Sequence, residues 1–376
     1  MVKNSPKIYI ICGEASGDFI ASRLIKELKL RVTDIQVKGI GGDLSKEEGL
    51  ISLFDYKDLA IMGLFEVLPK IPKILFILKK TIKDILQFKP DLIITVDSPG
   101  FNFRIVQKLR KLGVKTPMIH YVAPTVWAYN PDRATLVSKL YDHLLLILPF
   151  EKPYFDAVKL DSTFVGHPSI EKLETESCIE CISKNEKWLV VMPGSRLQEI
   201  AQMKTIFIDT IHRLQAKYKD DLRIFIATLP HLAESLQTLF GDTATVVSDA
   251  AEKERVFYNA DVALVKSGTS SVEMMFYDIP CVVLYKTSWL TYQIMRYKVK
   301  VPFISICNLV LNKMVMPEFI QNDCKPSDIA ISISNLLSTK KAKEIKNYYA
   351  QCKQALAVDG KLPSQIAADV IMKYLA

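Results

Sequence analysis

No run in the sequence approaches the ~18 consecutive apolar residues of a membrane-spanning helix. The polar start and the short apolar run Ile8–Cys12 do not make a signal peptide core either. There is no Arg-rich tail and no RNA-binding signature, so nucleic acid is not an expected partner. The loop after the first strand-like run lacks Gly-x-Gly-x-x-Gly spacing, which removes a nicotinamide dinucleotide reading there. The seven cysteines are mostly isolated in apolar contexts (Cys12, Cys281, Cys307), as reduced core thiols are. Cys178-Ile-Glu-Cys181 has no second pair or His-x-x-x-His to complete four ligands, so no zinc site is expected.

What is present reads as one plan used twice. With 376 residues, 49% of them hydrophobic and 24% charged, the chain is long enough for two domains. Its formal net charge of +8 favours anionic partners, whether phosphate or an anionic membrane surface. Ile8–Cys12 runs through Gly13-Glu14-Ala15-Ser16-Gly17-Asp18 into an amphipathic helix, the opening unit of a doubly wound parallel sheet. Further strands are expected at 36–40, up to Asp97, at 118–122 and at 144–148. A polar linker covers about 169–187, and the pattern then restarts with strands at 188–192, 223–228, 245–247, 262–265 and 281–284. The expected fold class is α/β, two doubly wound Rossmann-like domains with a cleft between them. The expected boundaries are 1–168, 169–345, and 346–376 as C-terminal helices crossing back to the first half.

Candidate chemistry gathers where strands end. Glu14, Asp18 and the hydroxyl of Ser16 follow the first strand, and acidic loops suit neutral hydroxyl-bearing substrates better than phosphates. Asp97 stands at the carboxyl end of a central strand, where catalytic groups sit in open α/β sheets. His120 lies inside its strand and reads as a core histidine rather than a base. The second half carries turns of another kind. Gly194-Ser195-Arg196 opens a helix bearing Glu199, and Ser267-Gly268-Thr269-Ser270 opens one bearing Glu273. Free N–H groups at such helix starts suit a pyrophosphate, and Arg196 adds charge-assisted hydrogen bonds. Glu273, one turn further in, can accept from both hydroxyls of a ribose. No Asp-x-Asp occurs anywhere to hold a metal against a diphosphate, so neither metal nor cofactor is expected, and Lys266 is a further candidate to meet the charge.

One segment stands apart. Met62, Leu64, Leu68, Ile71 and Leu75 belong to a dense apolar stretch in which every charge from Lys70 to Lys83 is positive. That suits a helix at an anionic membrane surface or one lining an acyl-chain groove, although a buried helix pair with snorkelling lysines fits the same pattern.

Several motifs together resemble one family. They are Gly13-Glu-Ala-Ser-Gly-Asp18, Val96-Asp-Ser-Pro-Gly-Phe-Asn102, His120-Tyr-Val-Ala-Pro-Thr-Val-Trp-Ala128, Leu148-Pro-Phe-Glu151, Phe164-Val-Gly-His-Pro168, Pro193-Gly-Ser-Arg196 and Ser267-Gly-Thr269 with Glu273. In this order, and with Asn308, they resemble lipid-A-disaccharide synthase over most of the chain. The resemblance implies a GT-B glycosyltransferase of lipopolysaccharide biosynthesis, inverting and metal-independent. It would join UDP-2,3-diacylglucosamine to 2,3-diacylglucosamine 1-phosphate at the cytoplasmic face of the inner membrane of a Gram-negative host. It implies Asp97 as general base, Arg196 and the turns at Gly194 and Gly268 on the diphosphate, Glu273 on the ribose and Asn308 near the nucleotide. In some members it implies a homodimer with exchanged C-terminal segments. Two positions depart from the family's pattern: Gly100 stands where many members have Asp, and Lys266 where a small residue is usual. A UDP-GlcNAc 2-epimerase, the transferase that builds lipid II and an inactive membrane scaffold are the rival readings.

Overall fold

The structure, a computed structural model, describes residues 5–56, 67–174, 182 and 184–376, with the side chains at 67–72, 173–174 and 339 outside that description. Met62, Leu64, Cys178 and Cys181, and the side chains of Leu68 and Ile71, therefore lie outside the described residues. Met1–Ile170 with Leu356–Ala376 forms one compact unit, and Glu171–Ala355 forms a second. The helix Thr339–Leu356 belongs almost wholly to the second unit, so the chain returns to the first about ten residues later than the expected 346.

The first unit is built on β1 (Lys7–Cys12), β2 (Gln36–Ile40), β3 (Ile51–Ser52), β4 (Leu92–Val96), β5 (Met118–Tyr121), β6 (His143–Leu146) and β7 (Ser162–Phe164). They pair in the order β3-β2-β1-β4-β5-β6-β7, and every pair is parallel. The central strands read as unbroken apolar runs because both faces of the sheet are covered. Alternate residues of β1 enter opposite layers: Tyr9 and Ile11 join Phe101, Val106 and Leu109. Ile8, Ile10 and Cys12 join Leu24 and Leu28 together with Ala367, Ile371 and Leu375 of the terminal helix Pro363–Leu375. An ion pair of 3.1 Å between Arg31 and Asp369 closes that second layer.

The second unit repeats the plan with β8 (Lys187–Met192), β9 (Leu222–Ala227), β10 (Thr245–Val247), β11 (Val262–Lys266), β12 (Cys281–Tyr285) and β13 (Glu318–Ile320). Their order is β10-β9-β8-β11-β12-β13, again parallel throughout. In each sheet the strand order reverses beside its first strand, between β1 and β4 and between β8 and β11. In open sheets of this kind ligands bind in that crevice, at the carboxyl ends of the strands. Three strands escaped the sequence reading, β3, β7 and β13, each an edge strand of two or three residues.

The helix Val67–Phe88 buries Ile74, Ile77, Ile82 and Ile85 while leaving Leu75 51% and Phe76 66% exposed. It is thus one-sided, with its inner face in the core and apolar residues still facing water. Among the described residues no helix is long and apolar enough to cross a membrane.

Candidate active site

The loops after β1 and β4 meet at the reversal of the first sheet. A Cβ on Gly13 would lie 2.2 Å from Ser98 Oγ, so only glycine lets the two loops approach this closely. Asp97 (φ 51°) and Ser98 (φ 44°) both adopt the left-handed region, uncommon for residues other than glycine. Such strain persists only where neighbours over-determine it. Here Asp97 N donates to the Tyr121 carbonyl at 2.9 Å, and Asn102 Nδ2 donates to the Asp97 carbonyl at 2.7 Å. Ser98 N donates to Asp97 Oδ1 at 2.7 Å. Oδ2 faces the Ser16 hydroxyl at 3.4 Å. One carboxylate oxygen is therefore held by the backbone, while the other sits beside an exposed hydroxyl and retains acceptor capacity. A Cβ on Gly100 would meet nothing within 4 Å, so the space for a larger residue is open.

The neighbouring acids differ in role. Glu14 is exposed at the N-cap of the helix Ala15–Arg31. Asp18, expected on the acceptor side, is only 3% exposed and faces inward. Its carboxylate accepts from the backbone N–H groups of Gly42 (2.8 Å), Leu44 (3.2 Å) and Ser45 (3.3 Å), capping the helix Asp43–Glu47. It holds the β2 loop and is not turned toward a ligand. His120 is buried, with Nδ1 at 2.7 Å from Thr95 Oγ1 and its ring stacked on Tyr141. Desolvation pushes its pKa down to about 3, so it stays neutral and belongs to the core.

Glu151, quoted above only as part of a motif, follows β6 at the carboxyl end of the same sheet. It is 1% exposed and accepts from the N–H groups of Ile147 (3.2 Å) and Leu148 (3.0 Å) and from the Trp127 indole (3.3 Å). It ties the loop after β6 to the loop after β5. Burial pushes its carboxyl up to about 7 against the pull of those donors.

In the second unit the corresponding crevice is lined differently. Gly194 (φ 120°) and Gly268 (φ 152°) adopt backbone angles that side chains disfavour, and a Cβ on Gly268 would meet open space. The glycine there serves the backbone conformation rather than the packing. The helices Leu197–Tyr218 and Thr269–Phe276 begin at Arg196 and Gly268, neither of which supplies a side-chain cap. Ser195, Arg196 and Thr269 are exposed, and Ser270 is half-buried. The Ser267 hydroxyl donates to the Ile304 carbonyl at 3.2 Å, so it positions the turn.

Glu199, a candidate donor contact in the sequence, pairs here with two cations. Its Oε2 lies 2.8 Å from Lys266 Nζ and its Oε1 3.7 Å from Arg196. An ionised carboxylate offers acceptors only, as phosphate oxygens do, so Glu199 cannot hydrogen-bond a diphosphate. It faces both cations, which gives Lys266 a definite place at the crevice. Glu273 Oε1 pairs with Lys172 at 3.2 Å, a partner 101 residues away that no local pattern could reveal. Nearby, desolvation pulls the Lys253 ammonium down although Glu273 acts in the other direction.

Asn308 is wholly buried. Its Nδ2 donates to the Met316 carbonyl and to Glu318 Oε1, both at 2.7 Å. Its Oδ1 accepts from Val315 N (2.8 Å) and Met316 N (2.9 Å), which leaves no polar atom of the side chain for a nucleotide. It is a positioning residue that fixes the approach to β13.

Residues 8–370 match the family described as lipid-A-disaccharide synthetase. The lipid-A-disaccharide synthase of Rhodospirillum centenum is 35% identical over 98% of this chain and 94% of its own length. That of Rickettsia canadensis is 37% identical over 97% of both chains. Among solved structures, the UDP-GlcNAc 2-epimerase of Methanocaldococcus jannaschii in complex with UDP-GlcNAc and UDP superposes with a TM-score of 0.66. At 14% identity, over 98% of this chain and 99% of that one, it shares the fold alone.

Proposed function

Since the chain belongs to the lipid-A-disaccharide synthase family of glycosyltransferases, we propose that the crevice at β1 and β4 holds the acceptor and the base, and that at β8 and β11 the donor's diphosphate. The reaction transfers 2,3-diacylglucosamine from its UDP donor to the 6-hydroxyl of 2,3-diacylglucosamine 1-phosphate. It yields the β-1,6 disaccharide 1-phosphate and UDP. The observation that carries the assignment is the strained, backbone-held Asp97, whose Oδ2 stands beside an exposed hydroxyl.

Asp97 Oδ2 takes the hydroxyl proton as the oxygen attacks the anomeric carbon opposite the leaving diphosphate. Negative charge then grows on that diphosphate, and groups aimed at growing charge are where electrostatic catalysis acts. Arg196, Lys266 and the backbone N–H groups at the Gly194 and Gly268 turns meet it. Glu273 accepts from the ribose hydroxyls. A carboxylate has about four lone-pair sites, so with Lys172 on Oε1 it keeps acceptor capacity for them. No metal is assigned a part.

The lipid half of the reading rests on the helix Val67–Phe88, whose exposed Leu75 and Phe76 lie among the exposed Lys73, Lys79 and Lys80. That surface suits the anionic inner membrane, with the enzyme peripheral on its cytoplasmic side. In a homodimer with exchanged C-termini, Leu356–Ala376 is the segment that would move between copies.

The test is UDP release from UDP-2,3-diacylglucosamine and 2,3-diacylglucosamine 1-phosphate in mixed micelles containing EDTA. Turnover is the expected result. A protein that binds UDP, is inert toward these lipids and instead interconverts UDP-GlcNAc with its 2-epimer would overturn the reading.

A further inference from the structure

The helix Trp289–Lys298, which follows β12 in the second unit, has no buried residue. Trp289 is 72% exposed, Leu290 64%, Ile294 50% and Tyr297 75%, whereas Tyr292, Met295 and Val299 are half-buried. At about 100° per residue, the four exposed apolar side chains fall within an arc of about 140°. Arg296 and Lys298 stand at its two edges, the half-buried Gln293 lies within it, and Tyr292, Met295 and Val299 occupy the opposite side. Trp and Tyr in such an arc, bordered by bases, are the composition of a helix lying in a membrane interface.

Charge points the same way. From Ile279 to Pro317 the chain carries Lys286, Arg296, Lys298, Lys300 and Lys313 and not one Asp or Glu. Arg296 touches Gln293 Oε1 at 3.3 Å and overlies the Tyr297 ring at 5.2 Å, and neither contact neutralises it. A second copy meeting this face across a two-fold axis would set like charges against each other. An anionic lipid surface supplies counter-charge to this stretch.

We propose that Trp289–Lys298 is a membrane-docking element of the donor-binding unit. Trp289, Leu290, Ile294 and Tyr297 enter the interfacial layer of an anionic bilayer, and Lys286, Arg296, Lys298 and Lys300 meet its phosphates. The proposal rests on the reading that both substrates are membrane lipids, and it gives the donor unit an anchor distinct from the helix Val67–Phe88. An acyl-bearing donor can then be bound at a lipid surface.

The test is co-sedimentation of the full chain with vesicles of phosphatidylglycerol and phosphatidylcholine, without substrate. Leu290→Ser/Ile294→Ser is expected to weaken partition by roughly tenfold or more, the scale of two aliphatic side chains no longer entering an apolar layer. Arg296→Glu/Lys298→Glu is expected to lose binding to the anionic vesicles most strongly at low salt. Both variants should keep UDP affinity and micellar turnover, which reports a folded enzyme and tests the lipid reading separately. Unchanged partition of both variants, with turnover intact, overturns the anchor and leaves the reaction standing. A shift from dimer to monomer with unchanged partition also overturns it, by giving the face to a second copy.

Discussion

The two sheets share a strand order, and their crevices have opposite chemistry. At β1 and β4 the loops present a carboxylate on a left-handed backbone, with a hydroxyl at 3.4 Å and a glycine that only permits approach. At β8 and β11 they present glycines whose backbone angles shape the turns, uncapped helix starts, and two cations held by one carboxylate. On the function proposed above, one topology supplies a place for a proton acceptor and a place for an anion. The difference lies in a few residues at strand ends, while the layers beneath are alike. This is how function separates from fold: the sheet sets where chemistry happens, and the turn residues set its sign.

The comparison breaks first at Asp97. Asp97→Asn should lower kcat by ~10²–10⁴, the usual worth of a general base, in a protein with an unchanged melting temperature. Micellar turnover measured beside a thermal melt checks this. Next is Arg196→Ala, which removes a charge-assisted donor and should weaken UDP binding by roughly 10- to 100-fold, read by calorimetric titration. A loss in kcat alone, with UDP affinity intact, would count against a diphosphate contact.

A smaller effect concerns the loops that border the first crevice. The folded pKa of Glu151 is raised from 4.5 to about 7, so the folded state binds the proton more tightly than the unfolded chain does. Its stability contribution is full below the unfolded value and is lost as pH rises through about 7. Glu151→Gln should flatten that slope, worth on the order of 1–3 kcal/mol between pH 4.5 and 8, in denaturant melts across pH. A slope that survives the substitution would assign it to another group.

The smallest effect distinguishes an orienting carboxylate from a ligand contact. Glu199→Gln releases Lys266 and Arg196, so UDP affinity should hold or rise by up to about threefold, the scale of a partly exposed ion pair. A tenfold loss would make Glu199 a direct contact after all.

Much of this was legible in the sequence, for physical reasons. Parallel strands covered on both faces read as apolar runs, so β1, β4, β8 and β11 stood out, and the loops after them carried the candidates. The edge strands β3, β7 and β13 are too short to show a pattern. What stayed hidden was long-range pairing. Asp18 looks like a ligand group until the N–H groups of Gly42, Leu44 and Ser45 are brought to it. Asn308 looks nucleotide-facing until its amide is seen filled by Val315, Met316 and Glu318. Lys172 carries no mark of its pairing with Glu273. The exposed face of Trp289–Lys298 could be read only once the opposite side was seen to pack.

The most direct measurement is UDP affinity and kcat together, on Asp97→Asn and Arg196→Ala prepared side by side. The account expects a crossed result: Asp97→Asn loses turnover by ~10² or more and binds UDP as the unaltered protein does, whereas Arg196→Ala loses UDP affinity. An Asp97→Asn enzyme that turns over at the original rate would contradict the account and move the base to Glu14, the exposed carboxylate of the same crevice.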